Sequence, residues 1–361
     1  MKKLFFIAAI AGAALVSCTK NEVAPVAEQQ EITFAAPVVG TITKDVTGEI
    51  DGNTYPTDEE FNVYAVWHLN AFEGWATNAT LYMDQVECTK DGNSWKPTSA
   101  EGKYYWPKEG YLTFAAYSPA DLTATTIAYG ADGLTVTGFA PAADTKDQFD
   151  FLYSERTIGQ EESTYADGID NAGEDGLFDD YTGVDIKFQH ALSQIEFWFK
   201  SDVADVIDLN TVTIKNAQAQ GTFKENISGT PTLYEATPAW DFSGYPTEKA
   251  DYNIYTHTGF DHLTTTAVEK KNGEKVDCII LPQSLAGVDV EITYAIKKGD
   301  GTYLEQTTTI PLNGQKAGSD LINTWVMGKK YIYTVTITLD EILFDPAVVD
   351  WADVKINEIV L

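Results

Sequence analysis

Tyr331-Ile332-Tyr333-Thr334-Val335-Thr336-Ile337 alternates at a period of two residues. Successive strand side chains point to opposite faces, so Tyr331, Tyr333, Val335 and Ile337 share one apolar face while Thr334 and Thr336 fall on the other. β-branched and aromatic side chains, which suit a pleated and half-buried surface, fill the whole run. The same period recurs outward in Val290-Glu291-Ile292-Thr293-Tyr294 and Ile195-Glu196-Phe197-Trp198-Phe199. It continues in Leu134-Thr135-Val136, Leu112-Thr113-Phe114-Ala115-Ala116-Tyr117, Phe61-Asn62-Val63-Tyr64-Ala65-Val66-Trp67 and Ile32-Thr33-Phe34. Roughly twenty such runs, punctuated by turn residues, predict an all-β fold of two tandem antiparallel β-sandwiches.

Three local expectations accompany that fold. Asn272-Gly273, between Thr264–Lys271 and Lys275–Leu281, reads as a two-residue hairpin turn, because both central positions of a type I′ turn need positive φ. Lys298-Gly299-Asp300-Gly301 reads as a longer hairpin turn joining Val288–Ile296 to Tyr303–Ile310. Asp202–Leu209, with Ser201 ahead of it as the cap and acids at Asp202 and Asp205 in its first turn, is the one predicted helix.

Between Glu161 and Asp185 the apolar pattern gives way to acids and glycine. This predicts an acidic linker over 161–182, separating an N-terminal sandwich at 31–160 from a C-terminal one at 183–361. The spacing of its acids does not match the Asp-x-[Asp/Asn]-x-[Asp/Asn]-Gly calcium loop; loose Ca²⁺ binding by clustered oxygens stays open beside a solvated linker.

The 361 residues carry 24 Lys and Arg against 54 Asp and Glu, a net charge of −30. A surface so acidic repels phosphate, which excludes nucleic acid and anionic lipid as partners held by charge. Arg156 is the sole arginine, so bidentate phosphate clamps are excluded too, and its sequence neighbours Glu155 and Glu161 are its expected ion-pair partners.

Met1-Lys2-Lys3, the apolar run Leu4–Val16 and Ser17-Cys18 have the layout of an export signal over 1–17, too short to be a membrane span. Leu15-Val16-Ser17-Cys18 looks like a bacterial lipobox, with Cys18 as the lipid-attachment residue and 18–30 as a tether; an ordinary signal with an incidental cysteine is the alternative. The mature chain would carry −32. Cys278 alternates with Val276 and Ile280 on an apolar strand face, and Cys88 and Cys278 both read as buried free thiols, with a disulfide between them as the alternative.

Catalytic signatures are missing: G-x-S-x-G, Walker A, G-x-G-x-x-G, H-E-x-x-H and C-x-x-C do not occur. His257, Asp261 and His262 read as ordinary loop residues rather than a metal site. No catalytic residue, metal ligand or cofactor is expected.

An ordered set of short blocks resembles the fimbrillin family, the subunits of lipoprotein-derived type V pili. The blocks are Phe61-Asn62-Val63-Tyr64, Tyr105-Trp106-Pro107, Leu112–Pro119, Phe188–Ile195, Leu281-Pro282-Gln283 and Gly328–Tyr333, behind the lipobox and the run Ile32-Thr33-Phe34. The resemblance implies two transthyretin-like β-sandwiches and a structural role for His190. It further implies an outer-membrane lipoprotein whose N-terminal strand, carrying Ile32 and Phe34, is removed by a protease. A C-terminal strand of another subunit then fills the groove; here Val354, Ile356, Ile359 and Leu361 are the candidate donor residues, beyond the anchor candidate Trp351. The family is typically cut after Arg, and the matching basic residue here is Lys44. The partners implied are other fimbrial subunits in a homo- or heteropolymer, outer-membrane lipid through Cys18, and a host or bacterial surface ligand. Three readings stay open: that 354–361 closes its own domain, that the chain is a monomeric surface lipoprotein binding glycan or host protein, and, least favoured, that a pair among its 54 acids makes it an acid-catalysed glycosidase.

Overall fold

The computed structural model describes residues 30–40, 55–69, 80–160, 183–230, 233–272, 278–339 and 342–351. Antiparallel sheets dominate, as the alternation predicts, and each run quoted above from Phe61 to Ile337 lies within a strand.

In the N-terminal half an eight-stranded sheet runs in the order Val38–Val39, Lys187–His190, Leu152–Ser154, Tyr111–Ser118, Phe61–His68, Thr80–Asp91 and Ser94–Pro97, with Thr157–Gln160 also paired to Tyr111–Ser118. Its two ends meet. Phe34, just ahead of Val38–Val39, exchanges backbone hydrogen bonds with Trp95 of Ser94–Pro97, so the sheet curls into a ring. The ring is filled by Phe34, Phe61, Met83, Trp95, Trp106, Phe114 and Phe188, all buried. Edge-to-face contacts of Phe34 with Phe61 at 6.0 Å and with Phe114 at 5.7 Å fix the aromatic packing.

In the C-terminal half a five-stranded sheet faces a four-stranded one. The first centres on Ser193–Ser201, Lys329–Ile337 and Ile342–Asp350; the second orders Lys249–Thr256, Ile207–Gln218, Asp289–Lys297 and Tyr303–Pro311. Ile195, Phe197, Tyr333 and Val335 from one sheet meet Val212, Ile214, Val290 and Ile292 from the other in a single core, the inward half of each alternating pattern.

The predicted boundary near 182 does not separate the sheets. Lys187–His190, assigned to the C-terminal half, pairs with Leu152–Ser154 and runs parallel to Val38–Val39 in the N-terminal ring. Gly221–Lys224 pairs with Gly133–Phe139, so a third sheet takes strands from both halves. Beneath it Tyr64, Tyr117, Phe139 and Phe151 pack in one cluster with Leu192, Phe223 and Leu281. Apolar faces on both sides of the acidic stretch are buried against each other, which composition along the chain does not register.

Two further expectations are corrected. Residues 202–206 form a turn, not a helix: the Ser201 hydroxyl bonds Val203, Asp205 has φ of 62°, and Ile207 begins a strand that buries Ile207 and Leu209. Val268–Glu269 and Cys278–Ile280, expected to pair across Asn272-Gly273, both pair with Ser193–Ser201 instead, end to end along one edge. Lys298-Gly299-Asp300-Gly301 does join paired strands, with Lys297 opposite Tyr303 and the Lys298 N–H donating to the Thr302 carbonyl at 2.7 Å. Cys88 and Cys278 are buried free thiols in separate cores.

Candidate groove around the N-terminal strand

The segment 30–40 lies between two edges of the ring. On one side the Trp106 N–H donates to the Gln30 carbonyl at 3.0 Å, Ile32 N–H to Tyr104 at 2.9 Å, and Phe34 and Trp95 to each other at 2.9 Å. On the other, Val184 N–H donates to Thr33 at 2.8 Å, Ala35 to Val184 at 3.0 Å, Val38 to Ile186 at 3.1 Å and Gly40 to Phe188 at 2.8 Å. The segment is thus antiparallel to one wall and parallel to the other. Pro37 has no N–H and interrupts the ladder; its carbonyl accepts from Tyr55 at 3.3 Å.

Ile32 and Phe34, named from the sequence, are wholly buried and point into the ring core. Burying two such side chains contributes about 1.5–3 kcal/mol each, beside ladder bonds of about 0.5–1.5 kcal/mol net. Removing the segment would open both edges and expose the core beneath Phe34. Tyr55 seals one side: its ring stacks on Phe188 at 5.3 Å, and its hydroxyl, held neutral by burial, lies 2.7 Å from the Ser118 hydroxyl. The rim pair of Lys103 with Glu31 at 2.8 Å is solvent-exposed and adds little.

Four wall features escaped sequence reading: Trp95, Tyr55, Val184 and Gly183. Trp95 is buried with its indole Nε1 lacking a hydrogen-bond partner among the described residues. Gly183, at φ of 133°, passes directly under the backbone of Thr33 and Phe34. Of the wall, Tyr105-Trp106 and Phe188 lay in blocks already singled out.

Other candidates separate. Cys18, Lys44, Val354, Ile356, Ile359 and Leu361, and the acidic stretch 161–182, lie outside the described residues. His190 Nδ1 sits 2.6 Å from Asp150 Oδ2, and its ring is stacked at 4.0 Å on Trp351, a packing role. His262 pairs with buried Asp208, His257 stacks on Tyr255, and Asp261 takes the Tyr255 hydroxyl at 2.6 Å and Lys270 at 2.5 Å. Arg156 lies over the Tyr129 ring at 5.2 Å and beside buried Glu225, from the other half of the chain. Glu155 accepts from Gln189 at 3.1 Å, and Glu161 lies outside the described residues.

Solved structures share this architecture. A fimbrial protein from Bacteroides vulgatus superposes with a TM-score of 0.58 at 18% identity, over 89% of this chain and 99% of its own. A candidate cell adhesion protein from Bacteroides uniformis gives 0.52 at 17% identity, over 91% and 99%. At these identities the likeness establishes the fold alone. No curated protein matches the chain in sequence. The sequence profile of the fimbrillin-like family matches residues 46–351, most of the chain, and on that match the chain belongs to the fimbrillin-like family.

Proposed function

We propose that this chain is a structural subunit of a cell-surface fimbria that serves adhesion, and that it performs no catalysis. In this reading Cys18 is acylated at the outer membrane, the chain is cut at Lys44, and the strand bearing Ile32 and Phe34 leaves its groove. A strand bearing Val354, Ile356, Ile359 and Leu361 from another subunit takes its place, and each half has transthyretin-like connectivity. Family membership and a fold like that of a fimbrial protein support the role. The observation that carries the assembly mode is the ring: among the described residues, segment 30–40 is what joins its first and last walls, and it is antiparallel to one and parallel to the other. An extended strand inserted there gains a ladder on both edges and buried side chains on one face.

Limited trypsin digestion of the soluble form starting at Thr19, with N-terminal sequencing and an unheated denaturing gel, tests this. A new N-terminus at Asp45 with detergent-resistant multimers that vanish on deletion of 354–361 is expected. A deletion that unfolds the monomer would assign that strand to its own domain. A cut without multimers would favour a monomeric surface lipoprotein, for which exposed Phe260, stacked on Tyr303 at 4.6 Å, offers an aromatic ligand platform.

A further inference from the structure

A buried donor in the groove wall has no acceptor among the described residues. Trp95 is 2% exposed, and its Nε1–H finds no partner among the described residues. Its backbone is paired directly with Phe34, so the two side chains leave the ladder on the same inner face. The Tyr55 ring, 6.2 Å away, has its hydroxyl engaged by the Glu60 carbonyl at 2.9 Å and by Ser118. Lys90, 5.3 Å over the indole face, can only donate. The resident strand offers Ile32 and Phe34, both apolar, and a buried donor without a partner carries its full desolvation cost.

We propose that a second copy completes the groove with its residues 355–361, placing Asn357 to accept the Trp95 Nε1–H bond. This rests on the strand-exchange reading above and goes further in fixing face and register. A strand presents alternate residues, so 354–361 has two possible inner faces. Val354, Ile356, Glu358 and Val360 meet the Trp95 donor with apolar side chains alone when Ile356 takes the place of Phe34 and Glu358 that of exposed Ala36, and drive a carboxylate into the apolar core when Val360 takes the place of Phe34. Lys355, Asn357, Ile359 and Leu361 put one neutral amide there instead. With Ile359 in the place of Phe34, Asn357 takes that of Ile32, the diagonal neighbour of Trp95. Diagonal positions lie about 7–8 Å apart at the backbone, a gap an indole spans. Lys355 then falls at the place of Gln30, on the rim, where its ammonium stays in water. Two groups that are each costly in an apolar core satisfy one another, and the segment has no proline to break the ladder as Pro37 does.

The test uses the whole chain with a sequence-specific protease site inserted between residues 45 and 54, cut after folding, and a fluorescent synthetic peptide of residues 352–361. Asn357→Leu in the peptide is expected to weaken binding about tenfold, the loss of one satisfied buried donor. In a Trp95→Phe chain, which keeps the ring and loses the donor, the same peptide change should not weaken binding. Equal weakening in both chains overturns the pairing while leaving strand exchange intact. Failure of the unaltered peptide to bind the cut chain overturns strand exchange itself. Should Trp95→Phe fail to fold, the ¹⁵N-indole spectrum of the unaltered chain decides. The Trp95 N–H resonance should move downfield with the unaltered peptide and stay with Asn357→Leu; an identical response to both peptides refutes the pairing.

Discussion

A Cβ built on Gly183 would lie 2.6 Å from the carbonyl carbon of Phe34 and equally near its nitrogen, closer than real Cβ contacts come. The obstacle is backbone, which cannot swing aside as a flexible side chain would, and the φ of 133° is itself a glycine conformation. Gly183→Ala should therefore push the 30–40 strand out of register, at a cost of about 1–3 kcal/mol from crowding alone. Denaturant unfolding should show the loss, and limited proteolysis should show faster cleavage within 30–40. An unchanged midpoint and an unchanged cleavage pattern would mean that this close approach does not hold the strand.

The seam between the halves should respond to pH through Glu225. Burial raises its carboxyl above the ordinary range, opposed by the Leu134 N–H at 2.8 Å and by the Arg156 guanidinium. A folded-state pKa above the unfolded one means that the native chain holds the proton more tightly. The stability linked to this group is then fully present below about pH 4.3 and is lost as pH rises through the raised value. Glu225→Gln keeps an acceptor for Leu134 without the charge. Its stability relative to the parent chain should rise between pH 4.5 and 7.5, read from urea midpoints, and a flat difference would contradict the assignment.

What was legible and what was not divides along a physical line. The Lys298–Gly301 turn was legible because both strands it joins pair with each other, and Asp300 accepts from the Thr302 N–H within the turn at 2.9 Å. Asn272-Gly273 carries an equally strong local signal, yet its flanks pair with Ser193–Ser201; partner choice rests on long-range burial, to which turn chemistry is blind. Ser201 misled for a related reason, since a hydroxyl that caps a helix can equally close a short turn ahead of a strand. In the groove, Ile32 and Phe34 were legible from alternation, whereas Gly183 and Trp95 owe their roles to a chain passing from elsewhere in sequence.

Trp351 should act as a clamp at the seam. Its ring lies parallel to His190, at 4.0 Å and 4°, and Asp150 holds the imidazole by its Nδ1 edge at 2.6 Å. His190 closes the strand Lys187–His190, whose Phe188 carbonyl accepts from Gly40 of the resident strand. Trp351→Phe preserves a flat ring and should cost less than about 1.5 kcal/mol; Trp351→Ala should cost more, the difference being the stacked area. Equal losses in thermal unfolding would show that the stack itself is not what stabilises this junction.

The C-terminal sandwich contains an ion pair whose two halves should behave unequally when removed singly and together. Lys330 Nζ lies 2.5 Å from Glu196 Oε1, with both side chains less than a tenth exposed, on adjacent parallel strands. The other carboxylate oxygen accepts from Trp198 Nε1 at 3.0 Å, so the charge on Glu196 is well solvated by protein groups. Attraction between the partners is offset by the cost of taking each from water, which makes the pair's net contribution small even though either member alone would be expensive. Glu196→Leu should leave a buried ammonium without its anion and cost about 3–5 kcal/mol, while Glu196→Leu with Lys330→Met should recover most of that. Urea unfolding of the two single variants and the double variant gives the coupling directly. Additive losses would mean that the groups act independently, and that the parallel pairing of Ser193–Ser201 with Lys329–Ile337 is held by Phe197, Tyr333 and Val335 without help from the charges.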